Sequence, residues 1–255
     1  MLFKDSGLRD NYSTKRNTKM ANSTMPKSLV FDAGPIISLT TNNLLWLIEP
    51  LKQKFGGNFY ITEGVRGELV DKPLATKKFK FEALQVEQQI EAGIIEVTRD
   101  PEARNLATKL LDISNSCFYV EGNPLRIVQF GEMETLAFAL LNKCEAIVID
   151  ERITRLLLES PESLAKLLSK RLHANVKMDK TSFLELDKIV NDIKLIRSVE
   201  LVAVAYSLGL LDKFVVHIPR ARQELLDSIL WGVKLNGCAV NEYELAELAK
   251  LAQQA

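Results

Sequence analysis

Apolar residues along this chain fall into two spacings, short unbroken runs and helical repeats, and their alternation predicts a strand-helix order. Leu29-Val30-Phe31 reads as a short buried strand closed by Asp32, with a break at Gly34-Pro35 and an apolar helix start at Ile36-Ile37. Pro35 suits a first helical position, where its missing N–H is no loss. Leu44, Leu45, Leu47, Ile48 and Leu51 then keep helical spacing until Gly56-Gly57 stops the run. Phe59-Tyr60-Ile61-Thr62 is a second strand, and Glu63 to Val70 a short helix carrying Glu63 and Glu68. Those two acids stand about 140° apart on a regular helix and cannot both face one pocket. Glu68, flanked by Leu69 and Val70, is the inward candidate, while Glu63 fits a solvated first turn.

Lys72 to Lys80 forms a basic, Pro-containing connection. Phe81 to Ala92 is helical and ends at Gly93, Ile94 to Val97 is a strand, and Glu102 to about Ser114 is an amphipathic helix. Ser116 to Ile127, with Gly122, Asn123 and Pro124, is expected to be a loop or a helix break. In the helix Gly131 to Leu141, about 100° per residue places Met133, Ala137, Leu140 and Leu141 on one arc. Glu134 falls inside that arc and Glu132 points nearly the other way. Ala146-Ile147-Val148-Ile149-Asp150 repeats the opening pattern, a buried strand ending in a carboxylate. One long helix from Ile153 to about Leu172 follows, running through Ser160-Pro161, and Asn175 to Met178 is expected to be the last strand. Val199 to Leu211, Ala221 to Trp231 and Glu242 to Leu251 complete the chain as helices that cover the core or form a self-association surface.

Composition narrows the class of protein. With 255 residues, 47% hydrophobic and 26% charged, the chain is long enough to bury one large core. Formal net charge is zero, so no global basic field marks a nucleic-acid binder, and any such binding must rest on local patches. Residues 1–26 are Ser- and Asn-rich and carry Lys4, Arg9, Lys15, Arg16 and Lys19 against Asp5 and Asp10, the pattern of a flexible basic tail. Met20 and Met25 are alternative starts. Cys117, Cys144 and Cys238 are widely spaced among apolar neighbours, which predicts reduced core thiols and a cytoplasmic location. His173 and His217 are too few for a histidine-cysteine zinc site. No apolar run approaches the roughly 20 residues of a membrane span, and no secretory segment is expected.

The candidate chemistry lies in four acids. Asp32 and Asp150 end two strands of an alternating strand-helix chain, which would bring them together at the same edge of an open α/β sheet, where ligands bind, although each could also be only a helix cap. A carboxylate on an apolar helix face, as at Glu134, is costly unless paired or bound to a cation. Like charges about 4 Å apart repel by roughly 4 kcal/mol at an effective dielectric of 20, so a cluster of Asp32, Glu68, Glu134 and Asp150 needs cations or shared protons. Oxygen donors alone favour Mg²⁺ or Mn²⁺. Asp179 is a weak fifth candidate. No P-loop or dinucleotide fingerprint is present.

The ordered set Val30-Phe31-Asp32-Ala33-Gly34-Pro35-Ile36-Ile37, Val65-Arg66-Gly67-Glu68-Leu69, Gly131-Glu132-Met133-Glu134-Thr135-Leu136-Ala137 and Val148-Ile149-Asp150-Glu151-Arg152 resembles the PIN-domain ribonucleases. The resemblance covers about residues 29–190, and the closing helices resemble prokaryotic members similar to toxin-antitoxin toxins. It implies an α/β fold, a PIN-like parallel sheet flanked by helices, with a nuclease domain over 27–195 and a helical extension over 196–255 packed on it. It further implies RNA as substrate, Mg²⁺ or Mn²⁺ as cofactor, and Asp32, Glu68, Glu134 and Asp150 as catalytic metal ligands with Glu132 in support. An antitoxin-like protein and a homodimer are the partners it suggests; no membrane is. Ala33 departs from the hydroxyl residue the family often carries there. Two other readings stay open: an inactive PIN-like protein-binding or assembly module, and another Mg²⁺-dependent phosphoryl hydrolase.

Overall fold

A computed structural model of the protein describes residues 27–190 and 193–254. The basic tail expected over residues 1–26, with Lys4, Arg9, Lys15, Arg16 and Lys19, lies outside the described residues.

Strand β1 (Ser28–Phe31) is buried along its whole length. After Asp32 the chain turns into α1 (Ala33–Thr41) and α2 (Ile48–Phe55), which ends on the left-handed Gly56. Strand β2 (Asn58–Thr62) follows, then α3 (Glu63–Arg66), a π-helical turn at Gly67–Asp71, α4 (Lys72–Leu74) and α5 (Lys80–Glu91). Strand β3 (Glu96–Thr98) leads to α6 (Pro101–Ser114), whose first N–H groups are capped by Asp100. The basic connection is therefore part helix, because Pro73 sits in the first turn of α4 and Lys80 opens α5.

The segment expected to be a loop or a helix break holds β4 (Phe118–Val120) and β5 (Asn123–Pro124), an antiparallel hairpin turning at Glu121-Gly122. Helix α7 (Phe130–Leu141), strand β6 (Ala146–Val148) and α8 (Arg152–Glu159) come next. The long helix expected over 153–172 is two helices: α8 stops at Glu159 and Pro161 begins α9 (Pro161–Leu172), since proline cannot supply the interior N–H. Strand β7 (Lys177–Met178) is not the last strand of the main sheet. It pairs antiparallel with β4, and Asp179 caps the following α10 (Lys180–Ile189) through Ser182 N at 2.7 Å. That bond holds the Asp179 carboxyl below its ordinary value and removes it from the acid candidates. The last parallel strand is the two-residue β8 (Leu195–Ile196), ahead of α11 (Ser198–Ser207), α12 (Ala221–Leu235) and α13 (Glu242–Gln254).

The main sheet is parallel, in the order β3-β2-β1-β6-β8. Period-two alternation divides its side chains between two cores, as a doubly covered parallel sheet requires. Leu29, Phe31 and Val148 join α1, α2, α11, α12 and α13 on one face, while Val30 and Ile147 join α6 to α10 on the other. Leu226, Leu230, Val233 and Leu245 thus share a core with β1. From β1 the chain first builds β2 and β3 to one side and later β6 and β8 to the other. The reversal opens a crevice at the carboxyl ends of β1 and β6, where such sheets hold ligands. Cys117, Cys144 and Cys238 are buried free thiols. Among the described residues no helix is long and apolar enough to cross a membrane.

Candidate active site

Asp32 follows β1 directly, and Asp150 follows β6 by two residues, so strand pairing of Phe31 with Val148 sets them side by side. Their backbones approach closely at Gly34: a Cβ there would stand 3.4 Å from Asp150 Cβ and 3.8 Å from Asp32 Oδ2. The space between the two carboxylates therefore depends on glycine.

Asp32 holds the N-cap position of α1 without a side-chain cap hydrogen bond, which removes the simplest structural explanation for it. Only 8% exposed, its carboxyl is pushed up to about 6, chiefly by burial. The nearby N–H groups of Ala33 and Gly34 offset part of the rise, and the charges of Glu68 and Asp150 add to it. Glu68 sits in the π-helical turn, a feature frequent at functional sites, and its Oε1 lies 3.3 Å from where a Cβ on Gly131 would be. Neither Asp32 nor Glu68 has an ion-pair partner among the described residues. Glu63 behaves as expected of a surface acid and pairs with Arg99 at 2.6 Å.

Glu134 and Asp150 are buried but already engaged. Glu134 Oε2 accepts from Gly64 N at 2.9 Å, and Oε1 faces Arg104 at 3.5 Å. Asp150 Oδ1 accepts from Ser198 N at 2.8 Å, while Oδ2 accepts from Ser38 Oγ at 2.8 Å and Ser198 Oγ at 2.6 Å. Asp150 is no helix cap either, since Glu151 caps α8 through Ile153 N.

The acid of α7 whose ionisation the charge of Asp32 opposes is Glu132. Its carboxyl is pushed up to about 7 by burial above all; the hydrogen bond from Thr154 Oγ1, at 2.5 Å, opposes the rise and the charge of Asp32 adds to it. The helical wheel correctly buries Glu134 but turns Glu132 away, because it cannot show what packs against each side of α7. Among the described residues no three Asp, Glu, His or Cys side chains converge closely enough to hold one ion. The expected four-acid cage is thus not assembled in these side-chain positions: Asp32 stands among the charges of Glu68, Glu132 and Asp150, and Glu134 turns to Gly64 and Arg104.

Ser38, Ser198, Gly64 and Thr154 belong to the site's framework and were not singled out from sequence. Ser38 had a usable signal, standing one helical turn after Gly34 on the face that looks toward Asp150. Ser198 had a fainter one, as a hydroxyl residue opening the apolar helix that follows Arg197.

The donor chemistry fits a hard divalent cation: oxygen ligands only, and a buried acid whose ionisation is opposed by its neighbours. Asp32 and Glu68, which have no ion-pair partner among the described residues, are the acids that could offer oxygens to such an ion, and Asp150 is held by two serines. No curated protein and no solved structure matches the chain. A family model described as a PIN domain matches residues 28–161, which include all five acids of the pocket, and on that match the chain belongs to the PIN-domain family.

Proposed function

We propose that the protein is a Mg²⁺- or Mn²⁺-dependent endoribonuclease that hydrolyses RNA phosphodiester bonds at the crevice beyond β1 and β6. One observation carries the reading: Asp32 is buried at the switch point of the sheet, makes no side-chain cap hydrogen bond to α1, and carries a carboxyl raised to about 6 chiefly by burial, with the charges of Glu68 and Asp150 adding to it. A folded protein that retains such repulsion has a use for a cation there. A metal held here would lower the pKa of a water and stabilise charge developing on the phosphate. This chain's own residues then divide the work. Asp32 and Glu68 supply oxygens, Ser38 and Ser198 orient Asp150, and the Gly64 amide holds Glu134 at the rim.

The test is to incubate the purified chain with single-stranded and structured RNA, with and without Mn²⁺, beside the Asp32→Asn variant. Metal-dependent internal cleavage that the substitution abolishes is expected. Cleavage surviving in Asp32→Asn would remove the assignment.

A second reading has its own support. Both oxygens of Asp150 and one of Glu134 already accept hydrogen bonds, as they would in a PIN-like binding or assembly module that does no chemistry. Absence of cleavage together with absence of Mn²⁺ binding by calorimetry would favour it. An antitoxin-like partner and a homodimer belong to either reading and are tested by light scattering and co-purification.

A further inference from the structure

Residues 27–255 carry 28 Lys and Arg against 31 Asp and Glu, so a polyanion near the acid crevice needs cations gathered locally. The structure gathers them on the far side of Asp150. A cavity of about 270 Å³ opens between α8 and the connection from α12 to α13, with Arg152, Arg155 and Lys234 on its walls and Glu244 the one acid among its lining residues. It borders the site directly, since Ala239 N donates to the Asp150 carbonyl at 3.4 Å.

The lining groups divide into braces, one unpaired guanidinium at Arg152, and Lys234, whose acid partner is itself solvated. Arg155 donates to the Ala239 carbonyl at 3.1 Å, and Arg197 reaches the same carbonyl at 3.4 Å while holding Glu244 at 2.7 Å. Glu244 is thereby neutralised and the 238–241 turn is pinned. Arg152 is exposed and has no ion-pair partner among the described residues. Lys234 touches Glu242 only at 3.5 Å, an acid that is itself 77% exposed, and rests over the Trp231 ring at 4.0 Å. A guanidinium and an ammonium without strong partners, on a polar cavity with a braced floor, suit a phosphate oxygen better than a carboxylate partner or an apolar ligand.

We infer that this cavity is a phosphate subsite, in which Arg152 and Lys234 hold a backbone phosphate of the RNA strand whose neighbouring linkage lies at Asp32 and Asp150. The inference rests on the nuclease reading and deepens it. Lys234 and the 238–241 turn lie beyond the residues that match the PIN family model, so this grip comes from the carboxyl-terminal part of the chain.

The experiment measures binding without catalysis. A fluorescent single-stranded RNA is titrated in EDTA across a salt series with the parent, Arg152→Gln/Lys234→Gln, the charge-keeping Arg152→Lys/Lys234→Arg, and a remote charge-matched control, Lys180→Gln/Lys188→Gln on α10. Neutralising Arg152 and Lys234 is expected to weaken RNA binding about tenfold at low salt. It should also flatten the salt dependence by about 0.7 log unit per log unit, the share of one phosphate contact on a single strand. The charge-keeping pair should retain most of the affinity, and the α10 control should change little; a thermal melt of each variant shows that it is folded. Parent-like affinity and slope in the neutralised pair would overturn the inference, as would an equal loss in the α10 control. Inorganic phosphate forms a separate arm: if it binds the parent while RNA affinity is unaffected by the substitutions, the cavity serves a free phosphate and not the strand. Mn²⁺-dependent cleavage is scored independently, so RNA binding that needs Arg152 and Lys234 in a parent that cleaves nothing would sink the nuclease reading and leave the subsite. Cleavage with unaltered binding would do the reverse.

Discussion

Ser198 donates both its backbone N–H and its hydroxyl to the Asp150 carboxylate, at 2.8 and 2.6 Å, and so ties the first turn of α11 to the end of β6. Ser38 adds a third hydrogen bond from α1. Asp150 is therefore a junction between the two halves of the chain before it is anything else.

Asp150→Asn is accordingly expected to destabilise the fold. An amide presents one oxygen where three donors converge, and a buried donor left unpaired costs about 1–3 kcal/mol. Urea unfolding should show a lower midpoint with an unchanged slope, and Ser198→Ala a smaller loss of about 1 kcal/mol. An Asp150→Asn variant as stable as the parent would mean that the junction contributes nothing.

Asp32→Asn should behave in the opposite way. It removes a buried charge that Glu68 and Asp150 oppose, so the melting temperature in EDTA should stay level or rise while Mn²⁺ binding by calorimetry is lost. Parent-like Mn²⁺ affinity would exclude Asp32 as a ligand.

The same repulsion sets a pH dependence. Burial, with the neighbouring charges, raises Asp32 from 3.8 to about 6 and Glu132 from 4.5 to about 7. Because both folded-state values lie above the unfolded ones, the native state binds more protons between them, and stability falls as pH rises through that window. The metal-free protein should thus lose stability from about pH 4 to about pH 7, by roughly 3 kcal/mol for Asp32 alone. Asp32→Asn/Glu132→Gln should flatten the curve, and added Mn²⁺ should restore stability at the upper end. A metal-free protein that gains stability across this range would contradict the arrangement.

Gly64 makes a sharper geometric demand. A Cβ there would come within 2.4 Å of Glu134 Oε2, the oxygen that the Gly64 amide now holds at 2.9 Å. Gly64→Ala should push Glu134 off this amide and lower cleavage about tenfold or more, with little change in the unfolding midpoint. Crystallography of the variant would show whether Glu134 has moved, and full activity with Glu134 unmoved would refute the prediction.

What the sequence by itself determined is the part that depends on local spacing. Runs such as Leu29–Phe31 and Ala146–Ile149 declare buried parallel strands, each closing on an acid, and their separation by helical repeats implies the doubly covered sheet. The burial of Glu134 follows from helical period alone. Tertiary structure decided which of these groups meet. Glu134 is held by the Gly64 amide and Arg104, and Glu132 is the α7 acid that the charge of Asp32 raises, because the rotation of α7 against the sheet is set by what packs on either side of it. The closing strand is Leu195–Ile196, two residues too short to produce an alternation, and it exists because β6 offers it a partner. Ser38 and Ser198 reach Asp150 from 112 and 48 residues away, and Arg152 of α8 and Lys234 of α12 line one cavity. Hydrogen bonds and charges act through space over a few ångströms, whereas periodicity reports only on neighbours along the chain.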